Sequence, residues 1–101
     1  MDPRLKETAN LLRVQFTNHL KRILFFGSRA RGDASPESDF DCLLIFDNVT
    51  PKIKRQLDEL SSKWLLEKGL VFAWVAVSEA ELERLRYEPF LRNAQREGIA
   101  A

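Results

Sequence analysis

Three short apolar runs limit what this chain can fold into. They cover residues 23–26 (Ile-Leu-Phe-Phe), 42–46 (Cys-Leu-Leu-Ile-Phe) and 70–77 (Leu-Val-Phe-Ala-Trp-Val-Ala-Val). Runs of this length bounded by turn residues read as buried strands. The segments around them carry apolar residues at helical spacing instead: Leu5, Ala9, Leu12, Phe16 and Leu20 before the first run, and Ile53, Leu57, Leu60 and Trp64 between the second and third. Strands alternating with amphipathic helices predict an α/β (α+β) architecture.

Capping residues mark the helix ends. Asp2-Pro3 and Thr50-Pro51 each place a side-chain acceptor before a proline at the first helical position. Gly69 suits a left-handed stop for the second of these helices. Ser78-Glu79-Ala80-Glu81 is a capping box, opening a helix to about Arg86, and Pro89 breaks it. Residues 90–97 form a last helix stopped by Gly98. Residues 28–32 can form a helical turn, and residues 33–38, with Pro36, read as a loop. The order is α-β-α-β-α-β-α. The third run is apolar on both faces, which predicts a strand covered on both.

The chain has 101 residues, enough for one domain over 1–101. It is too short for a catalytic domain plus a separate substrate-binding domain. Sixteen basic and fifteen acidic residues leave a net charge of +1, so bulk electrostatics give no case for nucleic acid as a direct ligand. A single cysteine excludes an internal disulfide framework and suits a reducing, cytoplasmic setting. The charged N-terminal residues lack a signal-peptide apolar stretch, and no run is long enough to span a bilayer.

The chemistry is concentrated in residues 27–41, Gly-Ser-Arg-Ala-Arg-Gly-Asp-Ala-Ser-Pro-Glu-Ser-Asp-Phe-Asp. Asp39 and Asp41 are two apart at the start of a strand, so they share a face, roughly 7 Å apart at ~3.3 Å per residue. Paired carboxylate oxygens at that spacing can share or bridge Mg²⁺. The opposite face carries Phe40, Cys42, Leu44 and Phe46 and suits a core. Gly27-Ser28 follows an apolar strand, where a strand-to-helix turn offers unpaired backbone N–H groups to an anion. Glycine permits close approach of a phosphate to the backbone. Arg29 and Arg31 add positive charge nearby.

The pattern Gly-Ser, ten residues, then Asp-x-Asp resembles that of the minimal nucleotidyltransferases of the DNA polymerase beta-like superfamily. The order of elements agrees with that family from about Leu5 to Ile99. The resemblance implies a small three-stranded mixed sheet flanked by helices. It implies that Gly27, Ser28, Arg29 and Arg31 hold the triphosphate of ATP or another nucleoside triphosphate. It also implies that Asp39 and Asp41 hold one or two Mg²⁺ ions and are catalytic. The implied reaction is attack on the α-phosphorus with release of pyrophosphate, unlike the γ-phosphoryl transfer of a kinase. Such proteins resemble antitoxins paired with an all-helical HEPN toxin, some of which they modify with AMP. The implied partner is therefore a HEPN-like protein, in a homo- or hetero-oligomer.

In this sequence the pattern departs from the superfamily at one point. Active members carry a third carboxylate on the third strand, and residues 70–77 contain no acid. Asp33 and Glu37 lie in the loop before the pair. Asp47 shares the parity of Asp39 and Asp41 but stands about 20 Å of strand beyond Asp41. Two readings remain open: an adenylyltransferase acting on a protein partner, and a nucleotide-binding module that neutralises or scaffolds its partner by contact. A small-molecule nucleotidyltransferase is a third, though such enzymes resemble this core plus an extra domain. Other residues read as structural: Cys42 as a small core hydrophobe, Trp64 and Trp74 as core aromatics, Lys52, Lys54 and Arg55 as a solvated helix face, and His19 as a surface or capping residue.

Overall fold

A computed structural model describes residues 3–26 and 40–100. The Gly27-Ser28-Arg29 turn, Arg31, the following loop and Asp39 lie outside the described residues, as does the expected Asp2 cap. The described elements are helix α1 (Pro3–Gln15), strands β1 (Leu20–Phe26) and β2 (Phe40–Phe46), helix α2 (Pro51–Lys68), strand β3 (Phe72–Ser78), helices α3 (Glu79–Leu85) and α4 (Pro89–Glu97), and the two-residue strand β4 (Ile99–Ala100).

The sheet order is β3-β2-β1-β4. β1 runs antiparallel to β2 and to β4, while β2 and β3 are parallel, joined through α2. The expected three-stranded mixed core is present, and β4 extends it at the β1 side. Two residues carry no periodicity, so β4 left no signal in the sequence. α1 ends at Gln15, and Leu20 belongs to β1 rather than to the helix. A tight turn makes the change: the Leu20 N–H donates to the Phe16 carbonyl at 2.9 Å. Leu20 and Ile23 still face the same layer, because the register slips between Leu20 and Arg22 and that irregularity absorbs the odd spacing.

Alternation sorts β2 into two faces. Phe40, Cys42, Leu44 and Phe46 bury against Leu5 and Leu12 of α1, Phe16 in the turn after it, and Ile53, Leu57 and Trp64 of α2. Leu43 and Ile45 bury on the other face against Leu24, Val77, and Leu91 and Ala94 of α4. The sheet is therefore a middle layer between the α1/α2 pair and the α3/α4 pair.

The predicted Thr50, Gly69 and Ser78 caps are formed. The Ile53 N–H donates to the Thr50 hydroxyl at 3.2 Å, and Gly69 closes α2 at φ 66°. The Glu81 N–H donates to the Ser78 hydroxyl at 3.0 Å, and the Ser78 N–H donates back to the Glu81 carboxylate. β3 departs from expectation. It is an outermost strand, and Ala73, Trp74, Val75 and Ala76 are only half-buried. An apolar composition reports what a strand can bury and does not report its place in the sheet order.

Candidate active site

Asp41 is the second residue of β2 and is half-buried. Its neighbours in register are Phe26 on β1 and Ala73 on β3. The end of β1 and the start of β2 therefore meet at the same end of the sheet, and these are the two ends that flank residues 27–39. Asp41 faces the α3/α4 layer, since Leu43 and Ile45, at the same parity, pack there. Gly27, Ser28, Arg29, Arg31 and Asp39 lie outside the described residues, so Asp41 is the member of the expected site whose placement is described.

The register settles what β3 offers to Asp41. Strands lie about 4.8 Å apart, so residues in register and their next same-face neighbours are the ones that can approach. On the Asp41 face β3 presents Ala73, Val75 and Val77. A third carboxylate from β3 is excluded. Among the described residues no group of three or more His, Cys, Asp or Glu side chains is placed to hold a metal ion.

Cys42 lies next in sequence on the opposite face, fully buried and free. Burial pushes its thiol far above the ordinary value, and the neighbouring Asp41 carboxylate adds to the shift. It is a core residue, as its position between apolar neighbours predicts. Trp64 and Trp74 likewise join an aromatic stack: Phe72 packs at 5.1 Å from Trp64 and 4.8 Å from Trp74. The Trp74 indole N–H donates to the Ser61 hydroxyl.

A second polar constellation stands at the other end of β2. His19 Nδ1 lies 3.1 and 3.3 Å from the two carboxylate oxygens of Asp47. The Asp47 N–H donates to the His19 carbonyl at 2.9 Å. Asp47 is held below the ordinary carboxylate range, chiefly by the His19 hydrogen bond, against a smaller opposing effect of burial. A groove of about 410 Å³ opens here between the end of α1 and the start of α2. The pair joins residues 28 apart, so no local pattern announced it. Both side chains are substantially exposed, and the pair ties the α1–β1 turn to the β2–α2 turn.

The comparisons with known proteins follow this geometry. The profile of the nucleotidyltransferase domain family matches residues 5–99. The chain belongs to that family, and its fold is that of a nucleotidyltransferase. Two relatives come from Methanocaldococcus jannaschii. One, named "Putative protein adenylyltransferase MJ0604", is 35% identical over 98 residues, covering 93% of this chain and 90% of the relative. The other, named "Putative protein adenylyltransferase MJ0141", is 30% identical over 70 residues, covering 68% of this chain and 71% of the relative. Among solved structures, a toxin–antitoxin crystal structure with AMP-PNP matches with TM-score 0.65 and 22% identity, over 94% of this chain and 69% of that one. A mutant toxin–antitoxin MntA–HpeT structure matches with TM-score 0.62 and 18% identity, over the same shares. At these identities the structural matches establish the fold. No helix among the described residues is long and apolar enough to cross a membrane.

Proposed function

We propose that this chain is a single-domain nucleotidyltransferase that transfers AMP from ATP to a protein partner, with Mg²⁺ as cofactor. The observation that carries the reading is the pairing of Phe26 with Asp41. Gly27 follows Phe26 and Asp39 precedes Phe40 by one peptide bond each, and consecutive Cα atoms are about 3.8 Å apart. Both halves of the motif therefore attach at the sheet end where Asp41 stands. The donor set suits the cofactor, because carboxylate oxygens are the hard ligands that Mg²⁺ takes. Asp39 and Asp41 would hold it, and it would supply charge neutralisation at the triphosphate.

In this reading the chain's own groups do positioning work. The backbone amides at Gly27 and Ser28 receive phosphate oxygens, and Arg29 and Arg31 supply positive charge beside them. Asp39 and Asp41 fix the triphosphate so that the α-phosphorus lies in line with the acceptor oxygen. The acceptor O–P bond forms as the bond from the α-phosphorus to the bridging oxygen breaks, the acceptor's proton passes to solvent, and pyrophosphate leaves. A protein acceptor supplies its own binding surface. The relatives named as protein adenylyltransferases, and the toxin–antitoxin setting of the structural neighbours, support a protein acceptor. The family resemblance supports a HEPN-like helical protein as the acceptor.

The acid-free face of β3 supports a second reading. With Ala73, Val75 and Val77 beside Asp41, the described chain provides no third carboxylate to accept the acceptor's proton. A module that binds nucleotide and restrains its partner by contact needs none.

Intact mass of the protein encoded by the neighbouring gene, after incubation with this chain and Mg-ATP, separates the readings. An increase by whole AMP units with the intact chain, and none with Asp41→Ala, supports transfer. Co-purification without a mass change under ATP, GTP, CTP or UTP supports the binding module and removes the enzymatic reading.

A further inference from the structure

We propose that the outer edge of β3 pairs antiparallel with β3 of a second copy, in a two-fold dimer centred on Val75. Among the described residues β3 hydrogen-bonds to β2 on one side, and no strand pairs with its other side. The strand reads Phe-Ala-Trp-Val-Ala-Val-Ser over Phe72–Ser78. It contains no charge, proline or bulge, the devices by which soluble proteins keep such an edge from pairing. Its central four residues are half-buried rather than covered, and Val71 beside them is 46% exposed.

The occupant follows from what an edge can accept and what this chain can offer. An open edge presents alternating N–H and C=O groups, which a strand satisfies and a helix does not. β1 and β2 are interior strands, and β4 at the far side is two residues long. β3 is thus the long strand that a second copy has free. Antiparallel pairing of β3 with itself satisfies both edges at once and closes, as an isologous two-fold contact must.

Side-chain sizes fit one register. Centred on Val75, Trp74 of each copy stands beside the small Ala76 of the other, and Ala73 stands beside Val77. A groove of about 270 Å³ lies along this edge, lined by Lys54, Leu57, Asp58, Trp74 and Ala76. The indole of the second copy lies over it in this register. The groove's rim carries one lysine and one aspartate, so no net like charge opposes the approach. Leu65, 52% exposed, falls on the α2 stripe of Lys54, Asp58 and Ser61 and lengthens the apolar margin.

Sedimentation velocity of the isolated chain from about 1 to 100 µM, spanning pairs from stable to transient, tests the association. A species of twice the 11.7 kDa chain mass is expected. Single cysteines test the register. Val75→Cys meets itself across the two-fold, at a Cβ separation of roughly 4.5–5.5 Å, and should cross-link under mild oxidation. Ala73→Cys is staggered by four residues from its own copy and should not. Both replacements are small, and a circular dichroism spectrum like that of the wild type confirms each is folded. A monomer throughout the concentration range overturns the proposal, even if a different protein is found on this edge. A dimer in which Ala73→Cys cross-links as well as Val75→Cys overturns the register and the two-fold with it.

Discussion

Asp41 and Cys42 are neighbours in sequence that face opposite sides of one sheet, and the two sides impose opposite chemistry. Asp41 stands half-exposed at the strand's end, within reach of solvent. Cys42 is sealed in the α1/α2 layer, where forming a thiolate means placing a charge in an apolar medium beside another negative charge. Alkylating reagents at mildly alkaline pH should leave Cys42 unmodified in the folded protein and label it fully in denaturant, read by mass spectrometry. At the other end of β2, the depressed Asp47 makes a pH-dependent contribution of known sign. A carboxylate whose folded pKa is lowered stabilises the fold above its ordinary value of 3.8, and the contribution is lost as pH falls through the lower folded value. Melting temperatures of the wild type and Asp47→Asn should differ at neutral pH and converge once the pH is acid enough to protonate the carboxylate in both states. A gap that persists at that acidity would show that Asp47 acts through something other than its charge.

At the scale of elements, two glycines hold helix ends for different reasons. Gly69 closes α2 in the left-handed region at φ 66°, with open space around the position of a missing Cβ. Gly98 has an ordinary φ, but a Cβ there would sit 2.3 Å from the Ala94 carbonyl oxygen and 3.3 Å from Leu24 Cβ. Its own N–H donates to that carbonyl at 2.7 Å, fixing the approach. Gly69→Ala should therefore cost about 1 kcal/mol of conformational strain and leave packing intact. Gly98→Ala should cost more, about 1–3 kcal/mol, and loosen α4 from β1, because backbone rather than a flexible side chain must move. Urea denaturation measures both costs, and hydrogen exchange at the Leu24 and Phe25 amides locates the second. Equal losses with no local change at β1 would refute the close-approach argument.

The whole molecule is a sheet between two helical layers, with Asp41 at the end where β1 closes and β2 opens. A ligand bound there touches a strand end that both apolar layers hold in place, so binding should register as global stability. Mg-ATP at about 100 times its dissociation constant adds about 2.7 kcal/mol, roughly 10–20 °C in melting temperature for a chain of this length. The shift should disappear with EDTA and in Asp41→Asn, a replacement of nearly the same shape. A shift that survives in Asp41→Asn would move the nucleotide site away from this strand end.

The sequence by itself determined most of the elements and the caps that end them. Helical spacing of Leu5, Ala9 and Leu12, the Thr50 and Ser78 caps and the Gly69 stop are local, because capping and periodicity act within a few residues. The alternation that sends Cys42 and Asp41 to opposite faces of the sheet is local for the same reason. Sheet order was not legible: nothing in Phe72–Ser78 distinguishes a covered central strand from an open edge, and only packing placed it outermost. The pairing of His19 with Asp47, the slip between Leu20 and Arg22, and the setting of Ala73 beside Asp41 are relations between distant residues. They depend on register, which the whole core fixes and no single segment encodes. The motif thus pointed to the proposed chemistry, and the tertiary structure decided which neighbours Asp41 has.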